Sequence, residues 1–228
     1  MKKEYNKKEL ERLFKKYADN FLYKEGIKEF EKILNYYPYK NNKEIYEYLL
    51  IKLGFLYDHL ALKDKKNRKE FENKALKFYK KVLGKNKNSI DAIWGIGRVW
   101  WHRNDKKAID YAKKAYQLAK NIEPNHYLRI QNIGLVYESL GDYKKAEKWL
   151  LKGIEKKPED FSPYLNLVVF YRLIKDFDKS KKYAKELERL YKKEPYNFRK
   201  TNWGKIIKEV IEKADRELEK IKKAVEKG

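Results

Sequence analysis

Apolar residues recur at spacings of three and four along nearly the whole chain, as in Leu10, Leu13 and Tyr17 or Leu50, Leu53 and Tyr57. That period places them on one face of a helix. Alternating runs are few and no Asn-Gly or Asp-Gly turn interrupts them, so strands are not expected. The pattern predicts an all-α fold. Prolines 38, 124, 158, 163 and 195 mostly follow Lys-rich segments, where a helix should stop.

The helical pattern also repeats. Residues 129–160 hold Ile133-Gly134, Tyr137, Gly141-Asp142-Tyr143, Ala146, Leu150, Gly153-Ile154 and Pro158. A shift of about 34 residues finds Tyr164, Leu167, Tyr171, Phe177, Ser180, Ala184 and Leu187 in the same slots. A shift to the start finds Leu10, Leu13, Tyr17, Tyr23, Gly26, Phe30, Ile33 and Pro38. This pattern resembles the tetratricopeptide repeat, a helical hairpin of about 34 residues. Two further copies depart from it. In 41–88, Leu53-Gly54 and Tyr57 mark a first helix and Ala75 and Tyr79 a second, with an elongated turn expected between them. In 89–126, Gly97 and Trp100 mark the first helix and Ala108, Ala112 and Ala115 the second, which is expected to run about one turn long.

The expected architecture is a right-handed α-α superhelix of about five hairpins over residues 1–198. Their bounds are about 7–40, 41–88, 89–126, 127–160 and 161–198, and 199–228 forms a C-terminal capping helix. Small residues at Gly26, Gly54, Gly97, Gly134, Ala75, Ala108 and Ala146 let helices approach closely, while Tyr17, Tyr57, Trp100, Tyr137 and Tyr171 fill the space between hairpins. A stacked array needs a capped end. Trp203, Ile206, Ile207, Val210, Ile211 and Ala214 can dock the last helix on the fifth hairpin.

Composition narrows the function. The 228 residues contain no cysteine, which excludes disulfides, thiolate catalysis and cysteine-ligated metals. No apolar run follows the basic start and none approaches membrane-spanning length, so a cytoplasmic protein is expected. Abundant Lys, Glu, Ile and Tyr lean toward a thermophilic source. The net charge is +23. It is spread thinly except over residues 61–90, with 11 basic and 3 acidic side chains. There Lys65, Lys66, Arg68, Lys69, Lys77 and Lys81 form a basic patch on a turn and a second helix.

Catalytic chemistry is not expected. His59, His102 and His126 show no metal-ligand spacing, and neither a metal nor another cofactor is implied. Gly95-Ile96-Gly97 lacks the preceding strand and third glycine of a dinucleotide loop. The resemblance instead implies a non-catalytic scaffold or adaptor whose first helices line a groove that holds a peptide or helix of a partner protein. Helical geometry puts Tyr48, Lys52, Phe55, His59, Trp94, Arg98, Trp101, His102, Gln131, Asn132, Asn166 and Arg172 on that lining. Asn132 and Asn166 occupy the slot where asparagines of O-GlcNAc transferase and kinesin light chain clamp a peptide backbone. The central aromatics Tyr48, Phe55, Trp94 and Trp101 serve either a partner or one another. Gly95, where downstream repeats carry asparagine, leaves room for a ligand side chain. Nucleic acid bound by the basic surface is the alternative, and self-association through the basic edge or terminal helix is a third reading.

Overall fold

The computed structural model describes residues 5–36, 42–120 and 127–225, with side chains for all of these except 36, 127, 218 and 220–225. Among them the regular structure is entirely helical: α1 (Lys7–Asp19), α2 (Tyr23–Tyr36), α3 (Lys43–Lys63), α4 (Arg68–Leu83), α5 (Ile90–His102), α6 (Lys107–Ala119), α7 (Tyr127–Ser139), α8 (Tyr143–Lys156), α9 (Phe161–Leu173), α10 (Phe177–Tyr191), α11 (Tyr196–Lys200) and α12 (Asn202–Val225). They divide into two compact units, residues 1–119 and 120–228. Consecutive helices pair α1 with α2, α3 with α4, and α5 with α6 in the first unit, and α7 with α8 and α9 with α10 in the second.

The turns between paired helices carry the repeat in their backbone. Phe21, Asn104, Gly141 and Lys175 each lie two residues past a first helix, and each has φ between 56° and 79°. The amide of the next residue then reaches back to the large residue inside the helix: Leu22 to Tyr17, Asp105 to Trp100, Asp142 to Tyr137 and Asp176 to Tyr171, at 2.8–3.0 Å. This left-handed cap satisfies carbonyls the helix end would otherwise orphan. Only one of the four positions is glycine, so sequence alone advertises the turn clearly only at Gly141. The second helices then start on short acceptors, with Asp142 capping the amide of Lys145 and Asp176 that of Lys179. Pro163 sits in the first turn of α9, where its missing N–H costs nothing. It therefore opens a helix rather than closing one.

The α3–α4 hairpin departs from this plan, and from the expectation of a long turn. The additional residues lengthen the helix instead: α3 has 21 residues where α1, α5, α7 and α9 each have 13. Leu60 and Ala61 continue its buried stripe, which carries the helix on to Lys63. Only residues 64–67 form the turn, where Asp64 accepts from the amide of Asn67 at 3.1 Å. The α6 helix likewise ends at Ala119 with 13 residues, not a turn longer as expected; residues 121–126 lie outside the described part.

Side-chain packing follows the expected slots. Ala75, Ala108 and Ala146 are fully buried. A Cβ on Gly97 would meet Tyr111 Cβ at 2.7 Å, and one on Gly134 would meet Leu150 Cγ at 2.8 Å. Tyr57 and Tyr171 hold equivalent places, and each hydroxyl donates to a carboxylate on a preceding second helix: Tyr57 to Glu31 at 2.6 Å and Tyr171 to Glu147 at 2.7 Å. In the second unit α12 packs on α10 and α9, with Ile207, Ile211 and Ala214 buried against Val168, Ala184 and Leu187. Trp203 does not join that core and is 43% exposed. The short helix α11 was not foreseen; Pro195 precedes it and its five residues lead into α12.

Tyr79 is the pivot of the first unit. Its ring is buried between two helices that both carry glycine toward it, Gly54 on α3 and Gly95 on α5. The space at Gly95 is therefore filled by the protein's own tyrosine, which corrects the expectation of room for a ligand. A Cβ at Gly54 would lie 2.6 Å from Tyr79 Cε1. Alanine in a helix normally gains about 1 kcal/mol over glycine. Here Gly54→Ala should instead destabilise by about 1–3 kcal/mol, the usual cost of overpacking. Urea unfolding checks this, and Gly54→Ala in a Tyr79→Leu background should cost little.

Candidate partner-binding face

The first helices of the first unit, α1, α3 and α5, meet along one face, and a buried ion pair fixes α3 to α5 there. Asp58 is completely buried. Its Oδ2 accepts from Arg98 Nε at 2.5 Å, and its Oδ1 lies 3.2 Å from His102 Nδ1. A carboxylate only accepts, so Nδ1 carries the hydrogen. Burial alone would push the Asp58 carboxyl up; Arg98 and His102 outweigh it and hold it below the usual carboxylate range. Arg98 also donates to Tyr79 Oη at 3.3 Å and lies over the Phe55 ring at 4.6 Å. Arg98, placed on the lining by helical geometry, adds no net charge to it, because Asp58 neutralises it in the interior.

The aromatic side chains are occupied in the same way. Phe55 packs edge-on to Phe14 at 5.2 Å and against His59 at 4.0 Å. Burial and the nearby Arg98 push the His59 imidazole down to about 3, so it is neutral at physiological pH. Trp94 is 9% exposed and lies 6.2 Å from the half-buried Trp101, whose ring stacks on His102 at 5.4 Å. Of the two readings, mutual packing accounts for Phe55 and Trp94. Beside this layer Glu72, 4% exposed, accepts from Arg68 and Arg103 at 2.8 Å each. Arg68 also donates to the His102 carbonyl, so its guanidinium is engaged by α4 and α5 although the side chain stays 41% exposed.

One part of this face is open. A cavity of about 390 Å³ lies between α1, α3 and α5, lined by Lys7, Glu11, Glu44, Glu47, Tyr48, Ile51, Lys52 and Asp91. That is the lower end of ligand-pocket sizes. Acidic side chains outnumber basic ones in it by four to two, the reverse of the protein as a whole. Lys7 pairs with Glu44 at 2.6 Å, and Lys52 lies over the rings of Phe14 and Tyr48 at 4.6 and 5.0 Å. The Tyr48 hydroxyl is buried without a hydrogen-bond partner. Burial, then Glu11, pushes its ionisation well up, so it stays a neutral donor. Glu11 and Glu47 were not expected here. Their signal was a four-residue step with Lys7 and Lys43 that resembles ordinary surface pairing.

In the second unit the two lining asparagines have different surroundings. Asn166 on α9 donates to Gln131 Oε1 on α7, so the two amides meet each other. Gln131 is 2% exposed and its Nε2 lacks a partner, while Asn132 is half-buried on α7. Arg172 grips Glu217 of α12 through two bonds of 2.7 Å; its charge, like that of Arg98, is satisfied within the fold. Glu138 is half-buried with Oε2 unpartnered, and burial pushes its carboxyl up to about 7.

Among the described residues no helix is long and apolar enough to cross a membrane, and no cluster of three or more potential metal ligands occurs.

Residues 130–160 match the family model described as tetratricopeptide repeat. No curated protein matches the chain in sequence. Among solved structures, MamA is 25% identical, with 79% of this chain and 95% of that one covered and a TM-score of 0.50. PilW, a widely conserved type IV pilus biogenesis factor, is 17% identical, with 91% and 89% covered and a TM-score of 0.59. The match at 130–160 includes the Gly141-Asp142-Tyr143 turn with its left-handed cap. Residues 130–160 thus match the tetratricopeptide repeat, and the described residues form an all-helical fold similar to those of MamA and PilW.

Proposed function

We propose that this protein is a non-catalytic scaffold that holds a segment of a partner protein on the first-helix face of its N-terminal unit. The reading is carried by the cavity between α1, α3 and α5, whose lining combines Tyr48 and Ile51 with an acidic surplus. The acidic surplus favours a segment that brings a lysine or arginine. The layer beneath, locked by Asp58 and Arg98, makes the face rigid before binding, which lowers the ordering cost of association. A family whose arrays use first helices for protein partners is consistent with this, and so is a cytoplasmic location.

A photo-crosslinking residue at position 52 should capture a partner from an extract of the source cells, and the same residue at Lys28, exposed on α2, should not. Glu11→Lys should reduce the capture at position 52 severalfold. Equal capture from both positions, or capture indifferent to Glu11→Lys, would overturn the assignment.

A further inference from the structure

The outer helix α4 presents a second, chemically distinct face. Lys69, Lys77 and Lys80 or Lys81 follow one another at helical spacings around a single exposed stripe of α4, continued at its start by Lys65 and Lys66 of the preceding turn. A 16-residue helix is about 24 Å long, so the cations form a row rather than a cluster. Among the described residues none of these six lysines makes an ion pair with a carboxylate. The acidic residues of α4 are already spent: Glu70 pairs with Lys74 at 2.7 Å, and Glu72 is held by Arg68 and Arg103.

In the second unit Lys192, Lys208 and Lys213 each pair with a glutamate four residues away, at 2.8, 3.7 and 2.5 Å, which offsets their charge one turn along. Residues 61–90, by contrast, hold 11 basic side chains against 3 acidic ones, and the α4 stripe so accumulates positive potential.

We propose that the stripe on α4 binds the phosphodiester backbone of nucleic acid without regard to sequence. A protein partner fits it poorly. Protein interfaces need an apolar core and are depleted in lysine, and among the described residues of the first unit the large exposed apolar side chains are Leu22 and Leu62, neither of them on α4. A phosphate backbone asks only for a row of cations, and lysine supplies point charges to it. The stripe lies on a second helix, apart from the cavity between α1, α3 and α5.

Fluorescence anisotropy with a 20-residue RNA strand and a 20-base-pair DNA duplex tests this across salt concentrations. The logarithm of affinity should fall with the logarithm of salt at about 0.7–0.9 per lysine engaged, a slope of about 4–5 for the stripe. Replacing Lys66, Lys69, Lys77 and Lys81 together by glutamine should reduce the slope by about 3 and weaken binding at least about 100-fold at low salt. Replacing Lys179, Lys192, Lys208 and Lys213 by glutamine removes the same net charge from ion-paired sites and should change binding only a few-fold. Circular dichroism of both exposed-surface variants confirms that each is folded. Binding of RNA alone or of duplex alone also supports the stripe and identifies the form. Equal loss in both variants would reduce the effect to net charge and overturn the assignment. So would the absence of binding to either oligonucleotide, or displacement of both by polyglutamate at equal charge concentration.

Discussion

Replacing Arg98 by methionine should destabilise the protein by about 3–5 kcal/mol, the cost of leaving a buried charge without its partner. Asp58 is fully buried, and Arg98 supplies its 2.5 Å contact. His102 remains at 3.2 Å, and one hydrogen bond does not neutralise a carboxylate in that environment. The variant should also reverse its response to acid. In the wild type the folded Asp58 has a lowered pKa, so its contribution is present above the unfolded value and is lost as pH falls through the folded one. Without Arg98, burial dominates and raises the folded value. The variant then gains relative stability as pH falls from neutral. Urea unfolding at pH 7.5 and pH 5 measures both effects. The double variant Arg98→Met with Asp58→Leu removes both charges and should recover most of the loss; a double variant as unstable as Arg98→Met would show that the charge is not the cause.

Mild acid should destabilise the first unit through His59. The folded imidazole is held near 3 by burial and by Arg98, while an unfolded histidine titrates near 6.5. A base with a depressed folded pKa contributes stability that is complete above the unfolded value. That stability is lost progressively as pH falls from about 6.5 toward 3. At 1.36 kcal/mol per unit the full span approaches about 4–5 kcal/mol. Glu138 acts in the opposite sense: its folded value near 7 adds stability as pH falls from 7 toward 4.5. The difference between wild type and His59→Phe isolates the histidine, because Glu138 is common to both. That difference should move steadily against the wild type between pH 7 and pH 4. Parallel stability curves would show that His59 takes up its proton equally in the folded and unfolded protein.

Much of the fold was legible because the repeat is written locally. Spacings of three and four predicted helices, and Gly141-Asp142-Tyr143 with Ala146 and Pro158 identified one hairpin outright. The turns at Phe21, Asn104 and Lys175 adopt the same left-handed cap without glycine, so register rather than turn chemistry revealed them. The length of α3 was misread because Leu60 and Ala61 extend its stripe past the point where a typical first helix ends. The lining residues were placed on the correct helices, but their exposure was not legible. Whether Arg98 is a free cation depends on Asp58, 40 positions away. A clue did exist: an acid and a base stand on the lining stripes of neighbouring repeats, at a distance side chains can span. The same clue links Asn166 to Gln131. Arg172 and Glu217 offered no such hint, since α12 lies outside the repeat register.

The sharing of Tyr79 between Gly54 and Gly95 has a consequence for how the molecule comes apart. Linear repeat proteins often unzip one element at a time, because neighbours contribute nearly independent interface energies. Tyr79 belongs to the α3–α4 hairpin, yet half of its cage is the backbone of α5, and its hydroxyl receives Arg98. Pulling α5 away opens a void around a large ring and strips Asp58 of its counter-ion in the same step. The second and third hairpins therefore open as a single cooperative block, and fraying of the first unit stops where that block begins.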